Sequence, residues 1–347
     1  MTMRCAIRHG LGIAWSAAFT ALSVRTSAAA SSVLEPAGAG ARLASKLWWW
    51  IGGTLSVLYV LIGALLVFVI VRRATRVADG FSIPPPDEPR ERRLAKIVAV
   101  NAVLTTLLLV VFLAVSLSVG HAVVALSSNV DVRMKVTGHQ WWWEIEYEDP
   151  VASNTFVTAN EFHVPVGKTV DLHLVSADVI HSFWIPNLTG KRDLIPGRNN
   201  HVVIRAERAG EYVGQCAEFC GLQHAHMRIV VVAESDEDFA RWLVHEREPA
   251  PEPTGEKEIH GRQVFTSGPC VMCHTVRGTM AASRAGPELT HLASRRTLGA
   301  GTIPNTRAHL FAWITDSQSV KPGNRMPQVP MQGADLDDLA AWLETLR

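Results

Sequence analysis

The sequence predicts a membrane-anchored, multidomain protein: a hairpin of two transmembrane helices, then an all-β sandwich, then a small all-α domain. Three observations predict it. Two long uncharged apolar runs lie near the N-terminus. Beyond residue 130, short runs alternate Val, Ile and Thr with polar residues. Near residue 250, a Pro-rich acidic stretch precedes segments that read as helices around Gly- and Pro-rich loops. A chain of 347 residues has room for two domains with real cores. Its net charge of +1 gives no reason to expect nucleic acid as a partner.

Residues 1–30 have Arg4 and Arg8, an apolar stretch from Leu11 to Val24 and small residues through Ala30, the layout of a cleaved signal peptide. Cys5 leaves with it, so the other four of the five cysteines remain in the mature chain. The runs 47–71 and 97–126 contain no Asp, Glu, Lys or Arg, and each exceeds the roughly 20 residues that cross a bilayer. Trp48, Trp49 and Trp50 fit an aromatic belt at the interface. The loop 72–96 carries Arg72, Arg73, Arg76, Arg90, Arg92, Arg93 and Lys96, so the positive-inside rule puts it in the cytoplasm. Everything after the second helix then lies outside, on the periplasmic side of a bacterial inner membrane.

Strand-like runs fill 130–235, with turns marked by Gly167, Gly190, Gly197 and Gly210. A linker at 245–258, with Pro249, Pro251 and Pro253 among acidic residues, reads as a stiff, solvated tether that lets the next domain swing. The helical domain occupies 259–347.

All four remaining cysteines fall in two short clusters. In "GQCAEFCGLQHAHM", Cys216 and Cys220 stand close to His224 and Met227. Thiolate, thioether and imidazole together select copper, and a mononuclear blue site needs only one cysteine. Two thiolates can instead bridge two copper ions, each completed by an imidazole and a weak axial ligand. The second imidazole must come from elsewhere in the fold. His181 in "VIHSFWIPNL" is the best candidate, and His226 is less favoured because it adjoins Met227.

"HSFWIP" and "CAEFCGLQHAHM", after two transmembrane helices and "GHQWWWEIEY", resemble subunit II of haem-copper cytochrome c oxidases over roughly residues 40 to 235. The resemblance implies a cupredoxin-like sandwich holding a binuclear copper A centre. Cys216 and Cys220 would bridge, His181 and His224 would be terminal, and Met227 and the Glu218 carbonyl would be axial. It also implies that the Glu218 side chain reaches a magnesium or manganese ion at the boundary with subunit I, and that electrons enter at Trp141. Glu91 aligns best with a glutamate that guards a proton path. However, "ERRLAKIVAVNAVL" lacks the aromatic residue and proline usual near the start of that second helix.

The second cluster, "CVMCH", is a c-type haem attachment signature: Cys270 and Cys273 form the thioethers and His274 is an axial ligand. The sixth ligand is expected to be a methionine. Met280 is too near to wrap around the ring, Met326 lies on a Pro-bounded loop before the last helix, and Met331 stays open as an alternative to it. This segment resembles a class I cytochrome c, which implies that the Pro287 carbonyl orients His274.

The whole therefore resembles an oxidase subunit II with a fused cytochrome c domain, a non-catalytic subunit of a proton-translocating cytochrome c oxidase. Its expected partners are subunit I, the other oxidase subunits, and a soluble or membrane cytochrome c or a cytochrome bc complex as donor. A copper A subunit of another respiratory reductase, such as nitrous oxide reductase, would need a large catalytic domain. A copper-handling assembly factor would have neither the haem motif nor the second helix, and a structural zinc module is opposed by Met227 and the export signal.

Overall fold

The computed structural model describes residues 31–74, 87–331 and 333–347. The expected signal peptide, 1–30, and the middle of the expected cytoplasmic loop, 75–86, lie outside the described residues.

Helix α1 (Ala39–Ala74) and helix α2 (Glu88–Ala125) contain the two apolar runs and extend beyond them on the polar side. The start of α1 is fixed by the sandwich: the backbone N–H groups of Ala37 and Gly38 donate to the Asn187 carbonyl at 2.7 and 3.0 Å, and Ala39 N donates to Arg205 O at 3.0 Å. The first turn of α2 carries Pro89, Glu88 and Glu91, which suit a helix N-terminus sterically and electrostatically. Trp50 of α1 meets Phe112 of α2 edge-on, with ring centroids 5.0 Å apart. Both helices are long and apolar enough to cross a membrane, and their apolar side chains point outward along their length, as lipid-facing helices require.

Ten strands form the sandwich. One sheet has the order β3 (Phe156–Ala159), β2 (Trp142–Glu148), β1 (Val132–His139), β5 (Val170–Ser176), β8 (Asn200–Ile204). The other has β4 (Glu161–Pro165), β10 (Arg228–Glu234), β9 (Gly210–Cys216), β6 (His181–Trp184), β7 (Arg192–Leu194). Alternation in the sequence becomes alternation of burial: Met134, Val136, Trp143, Ile145, Leu172 and Leu174 from the first sheet meet Phe162, Phe183, Ile229 and Val231 from the second. β1 runs parallel to β5 and β4 parallel to β10, so the chain crosses between sheets instead of forming a plain meander.

Helix α3 (Asp236–Arg247) follows, with the Ser235 side chain accepting from Asp238 N at 3.1 Å as its N-cap. Its Trp242 stacks on His163 and packs beside Tyr147 and Phe156, so α3 belongs to the sandwich. The helical domain is built from α4 (Glu256–Ser267), α5 (Arg307–Thr315), the short α6 (Ser317–Val320) and α7 (Ala334–Leu343), with a two-residue hairpin of β11 (Thr297–Leu298) and β12 (Ile303–Pro304). Helices α4 and α7 cross closely because position 261 is glycine: a Cβ there would lie 1.9 Å from the Asp338 carbonyl oxygen.

The coil between α3 and α4 is 248–255, shorter than the expected linker, because helix α3 continues to Arg247. It is also held: Ala250 N donates to Arg277 O at 2.9 Å, and Glu252 pairs with Arg262. Pro249, Pro251 and Glu252 are exposed, as a solvated stretch requires, but these contacts tie the stretch to the domain it precedes, so the expected free swing is corrected.

Candidate metal centres

The first cluster is assembled at one end of the sandwich. His181 opens β6 and Cys216 closes β9, with Cys216 paired to Phe183 across the sheet. The following loop is tied at its base by Cys216 N donating to Met227 O at 3.0 Å and Ala217 N to Ser182 O at 2.9 Å. These bonds bring Cys220, His224 and Met227 back over Cys216. Gly138 of β1 lies behind the His181 ring, where a Cβ would approach within 2.8 Å of His181 Cδ2.

The two sulfurs stand 3.8 Å apart, both cysteines buried and free. Cys216 Sγ is 3.9 Å from His181 Nδ1, and Cys220 Sγ is 3.6 Å from His224 Nδ1 and 3.9 Å from Met227 Sδ. The Glu218 carbonyl oxygen lies 3.2 Å from Cys216 Sγ. Metal–sulfur bonds of about 2.3 Å and metal–nitrogen bonds of about 2.0 Å put two ligands of one ion about 3.5–3.8 Å apart, close to the spacing seen here. His181, Cys216 and Cys220 have ligand atoms within 4.8 Å of one another, and His224 stands outside that trio against the Cys220 sulfur. Each sulfur thus has its own imidazole, which fits two ions bridged by two thiolates better than one.

Electrostatics favour a cation here. The hydrogen bond from the Cys220 thiol draws Cys216 well below the ordinary thiol range against the opposing effect of burial, and pushes Cys220 above it. His181 presents its other nitrogen, Nε2, to Asp178 Oδ1 at 2.8 Å, which orients the ring as carboxylates behind metal-bound imidazoles do.

The second cluster sits on a short turn. Cys273 N and His274 N both donate to Cys270 O, at 3.1 and 3.0 Å, so Cys270, Cys273 and His274 face one cleft. His274 Nδ1 lies 2.7 Å from the Pro287 carbonyl, which can only accept, so Nδ1 carries the proton and Nε2 is left for a metal. Burial lowers the pKa of this imidazole, keeping it neutral. Apolar side chains of Phe265, Leu298, Leu310, Ile314 and Leu343 line the cleft, as a planar apolar macrocycle requires. Met326 and Met331 both reach it, whereas Met280 is 77% exposed and is not among the lining residues. The backbone of Met326 is the more tightly held: its carbonyl accepts from Ser317 Oγ and Gln318 Nε2 at 2.8 and 2.9 Å, and its N–H donates to Asn324 Oδ1 at 2.7 Å.

Residues 150–234 match the family "Cytochrome C oxidase subunit II, periplasmic domain", and residues 259–347 match "Cytochrome c". The chain thus carries a domain like the periplasmic domain of cytochrome c oxidase subunit II, followed by a cytochrome c domain. It is 40% identical over 217 residues to cytochrome c oxidase subunit 2 of Alkalihalophilus pseudofirmus, a match covering 62% of this chain and 61% of that one. It is 29% identical over 277 residues to the subunit 2 of Bacillus subtilis, covering 75% of each. The crystal structure of the periplasmic domain of subunit II of cytochrome oxidase from Bradyrhizobium japonicum aligns with 34% identity over 34% of this chain and 95% of that one, at a TM-score of 0.32. The subunit II domain implies copper A and the fused cytochrome c domain implies haem.

In this chain the two domains share a wall. Gln140, Trp141, Trp142 and Asn160 of the cupredoxin domain line the same cleft as the CxxCH segment. Trp141 is only 8% exposed: its indole Nε1 donates to Cys220 O at 3.0 Å, and Gln140 Nε2 donates to the same carbonyl at 2.8 Å. Lys321, 2% exposed, reaches from the cytochrome domain between the two sites. Its Nζ donates to Trp141 O at 2.8 Å, His226 O at 2.6 Å and Gly299 O at 2.7 Å. Burial pulls this ammonium down to about 7. Around this contact Arg284 pairs with Glu144 and Glu146 at 2.6 and 2.8 Å, and Arg296 pairs with Glu161 and, at 2.7 Å, with Glu211.

The remaining expected residues fall as follows. Glu218 is half-buried in the copper loop, and Glu91 is exposed in the first turn of α2. The His226 ring bonds Gln223 Oε1 at 2.8 Å. Sequence reading missed Asp178, Trp142 and Lys321. Asp178 has a signal, being three residues before His181, while Lys321 has none, since its partners are remote in the chain.

Proposed function

We propose that this chain is the electron-input subunit of a haem–copper cytochrome c oxidase, relaying electrons from a periplasmic donor through its own haem c and copper A centre to an oxygen-reducing subunit I. The observation that carries this reading is the shared wall: residues of the copper domain close the cleft that Cys270, Cys273 and His274 open.

Cys270 and Cys273 would hold haem c covalently, with His274 and Met326 as axial ligands. Cys216, Cys220, His181, His224, Met227 and the Glu218 carbonyl would hold the copper pair. Bound there, the two groups supply one-electron redox chemistry and nothing that activates a substrate, because protein atoms close the coordination positions. The protein's part is placement. Asp178 and the Pro287 carbonyl fix the imidazoles, Trp141 and Lys321 fill the space between the sites and exclude water, and Arg284 and Arg296 fix the mutual orientation of the domains. Trp141 faces the chain's own cytochrome domain, so in this reading electrons reach it from within the chain. The α1–α2 hairpin anchors the subunit in the inner membrane with both domains in the periplasm. Partner oxidase subunits meet its copper end, where Phe219 and Leu222 are 75% and 71% exposed. The Glu218 carboxylate is the proposed magnesium or manganese contact at that boundary, and Glu91 the proposed proton-path residue.

Metal and haem analysis of the intact membrane complex tests this. One haem c and two coppers per copy of this chain, with the electron paramagnetic resonance spectrum of a mixed-valence pair, is the expected result. A single copper, or zinc in its place, overturns it.

A further inference from the structure

The outer face of the first sheet holds a second set of metal-ligating side chains that the relay does not use. On β5, Asp171 and His173 alternate with the buried Val170, Leu172 and Leu174, so both point out of the sandwich. The register sets His173 directly opposite His201 of β8, and antiparallel partners project on one face. Asp171 lies two residues along β5 on that same face. Ligand atoms of all three fall within 4.8 Å of one another.

We propose that Asp171, His173 and His201 bind a divalent transition-metal ion of the zinc class. The carboxylate offers one oxygen to each ring: Oδ2 is 3.3 Å from His173 Nε2, and Oδ1 is 3.5 Å from His201 Nδ1. Charge-assisted hydrogen bonds close to about 2.7–2.9 Å, so these groups are not collapsed onto each other. Bonds of about 2.0–2.1 Å to a tetrahedral ion place neighbouring ligands about 3.3–3.4 Å apart, near the spacing found. Two imidazoles with one carboxylate suit zinc, copper or nickel and not magnesium or calcium, which take oxygen ligands. Side-chain exposures of 16% for Asp171, 26% for His173 and 50% for His201 leave the remaining position to water. Arg133 and Lys135 of β1, in register with Asp171 and His173, bring positive charge beside the site and weaken it relative to one in neutral surroundings.

The ion would tie the edge strand β8 to β5. β8 leads directly into the segment that holds the start of α1, where Ala39 N donates to Arg205 O and Gly38 bridges Ala206. The site therefore braces the junction between sandwich and membrane anchor, far in function from electron transfer.

Equilibrium dialysis of the full chain, loaded with haem and copper, against zinc chloride tests the site. Wild type, Asp171→Asn, His201→Ala and the His173→Ala/His201→Ala double variant are compared, with their haem and copper spectra as the check on folding. His201→Ala alters only a half-exposed side chain and serves as the mildest variant. The expected result is one zinc per chain in wild type that the double variant lacks, with affinity down by about tenfold or more in each single variant. Zinc also raises the unfolding midpoint of wild type and not of the double variant. Equal zinc uptake and affinity in wild type and double variant, or no zinc bound by wild type, overturns the proposal.

Discussion

The copper and haem sites of this chain are built in opposite ways. The proposed copper ligands hang from the ends of paired strands and one short loop, and His181, Cys216, Cys220 and Met227 are each 3% exposed or less. The cysteines proposed to hold haem, Cys270 and Cys273, sit half-buried on a single turn at the mouth of a cleft, and the other domain supplies part of that cleft's wall. The difference follows from what each must hold. A metal pair contributes no bulk, so the protein must fix every ligand in advance; a macrocycle brings its own apolar surface and completes the core it enters. One site is a cage and the other is a half-core closed by a neighbour, so the haem site depends on docking more than the copper site does.

The sharpest way to break the comparison is to remove a caged ligand. Cys216→Ser or Cys220→Ser abolishes the mixed-valence copper signal in electron paramagnetic resonance while covalent haem, assayed as its pyridine haemochrome, stays at wild-type level. Loss of both groups together would show that the sites are not separate.

Next in size is Lys321→Met, which keeps the volume and removes the charge. It strips three carbonyls of their donor, and for the buried one, Trp141 O, the cost is about 1–3 kcal/mol. Each domain retains its own core, so copper and haem stay bound, but the docked arrangement loosens. Electron transfer between the two sites slows by about tenfold or more, since each 1.4 kcal/mol is tenfold in a population. Laser-flash reduction followed at the haem band reads this directly, and an unchanged rate removes Lys321 from the contact.

Met326→Ala eliminates the sulfur-to-iron absorption band with the thioethers intact, and Met331→Ala leaves it in place. The reverse pattern exchanges their roles.

The smallest effect comes from Glu246, at the end of α3 where its carbonyl accepts from Arg277 Nη2 of the cytochrome domain. Burial raises its carboxyl from 4.5 to about 7. A raised folded-state value means the stability it contributes is full below pH 4.5 and is lost as pH rises to about 7. Glu246→Gln flattens that part of the stability profile, measured by the thermal midpoint across pH; a profile as steep as wild type removes Glu246 from the cause.

Much of this architecture was legible because it is local. The membrane helices follow from uncharged runs, the strands from alternation, and both clusters from ligand types within a few residues. His181 needed more, since only the pairing of β6 with β9 brings it to Cys216. What the sequence hid is the contact between domains. Lys321 meets Trp141 and His226, and Arg284 meets Glu144, across long separations with no pattern to announce them. The Pro-rich stretch was misleading for a related reason: its composition suits a free tether, and only tertiary contacts with Arg277 hold it down. The proposal of Met326 over Met331 likewise draws on which backbone the loop pins.

In the proposed relay, the two sites pass electrons within one chain across the wall of Trp141 and Lys321. Stopped-flow reduction of the intact complex by its donor, recorded at the haem c band and the copper band together, tests it most directly. Haem c is expected to reduce first, with a rate proportional to donor concentration. Copper then follows at a rate that stops depending on donor once haem is reduced. Copper that reduces before haem c, or at full speed in a Cys270→Ala/Cys273→Ala variant lacking haem, would contradict it.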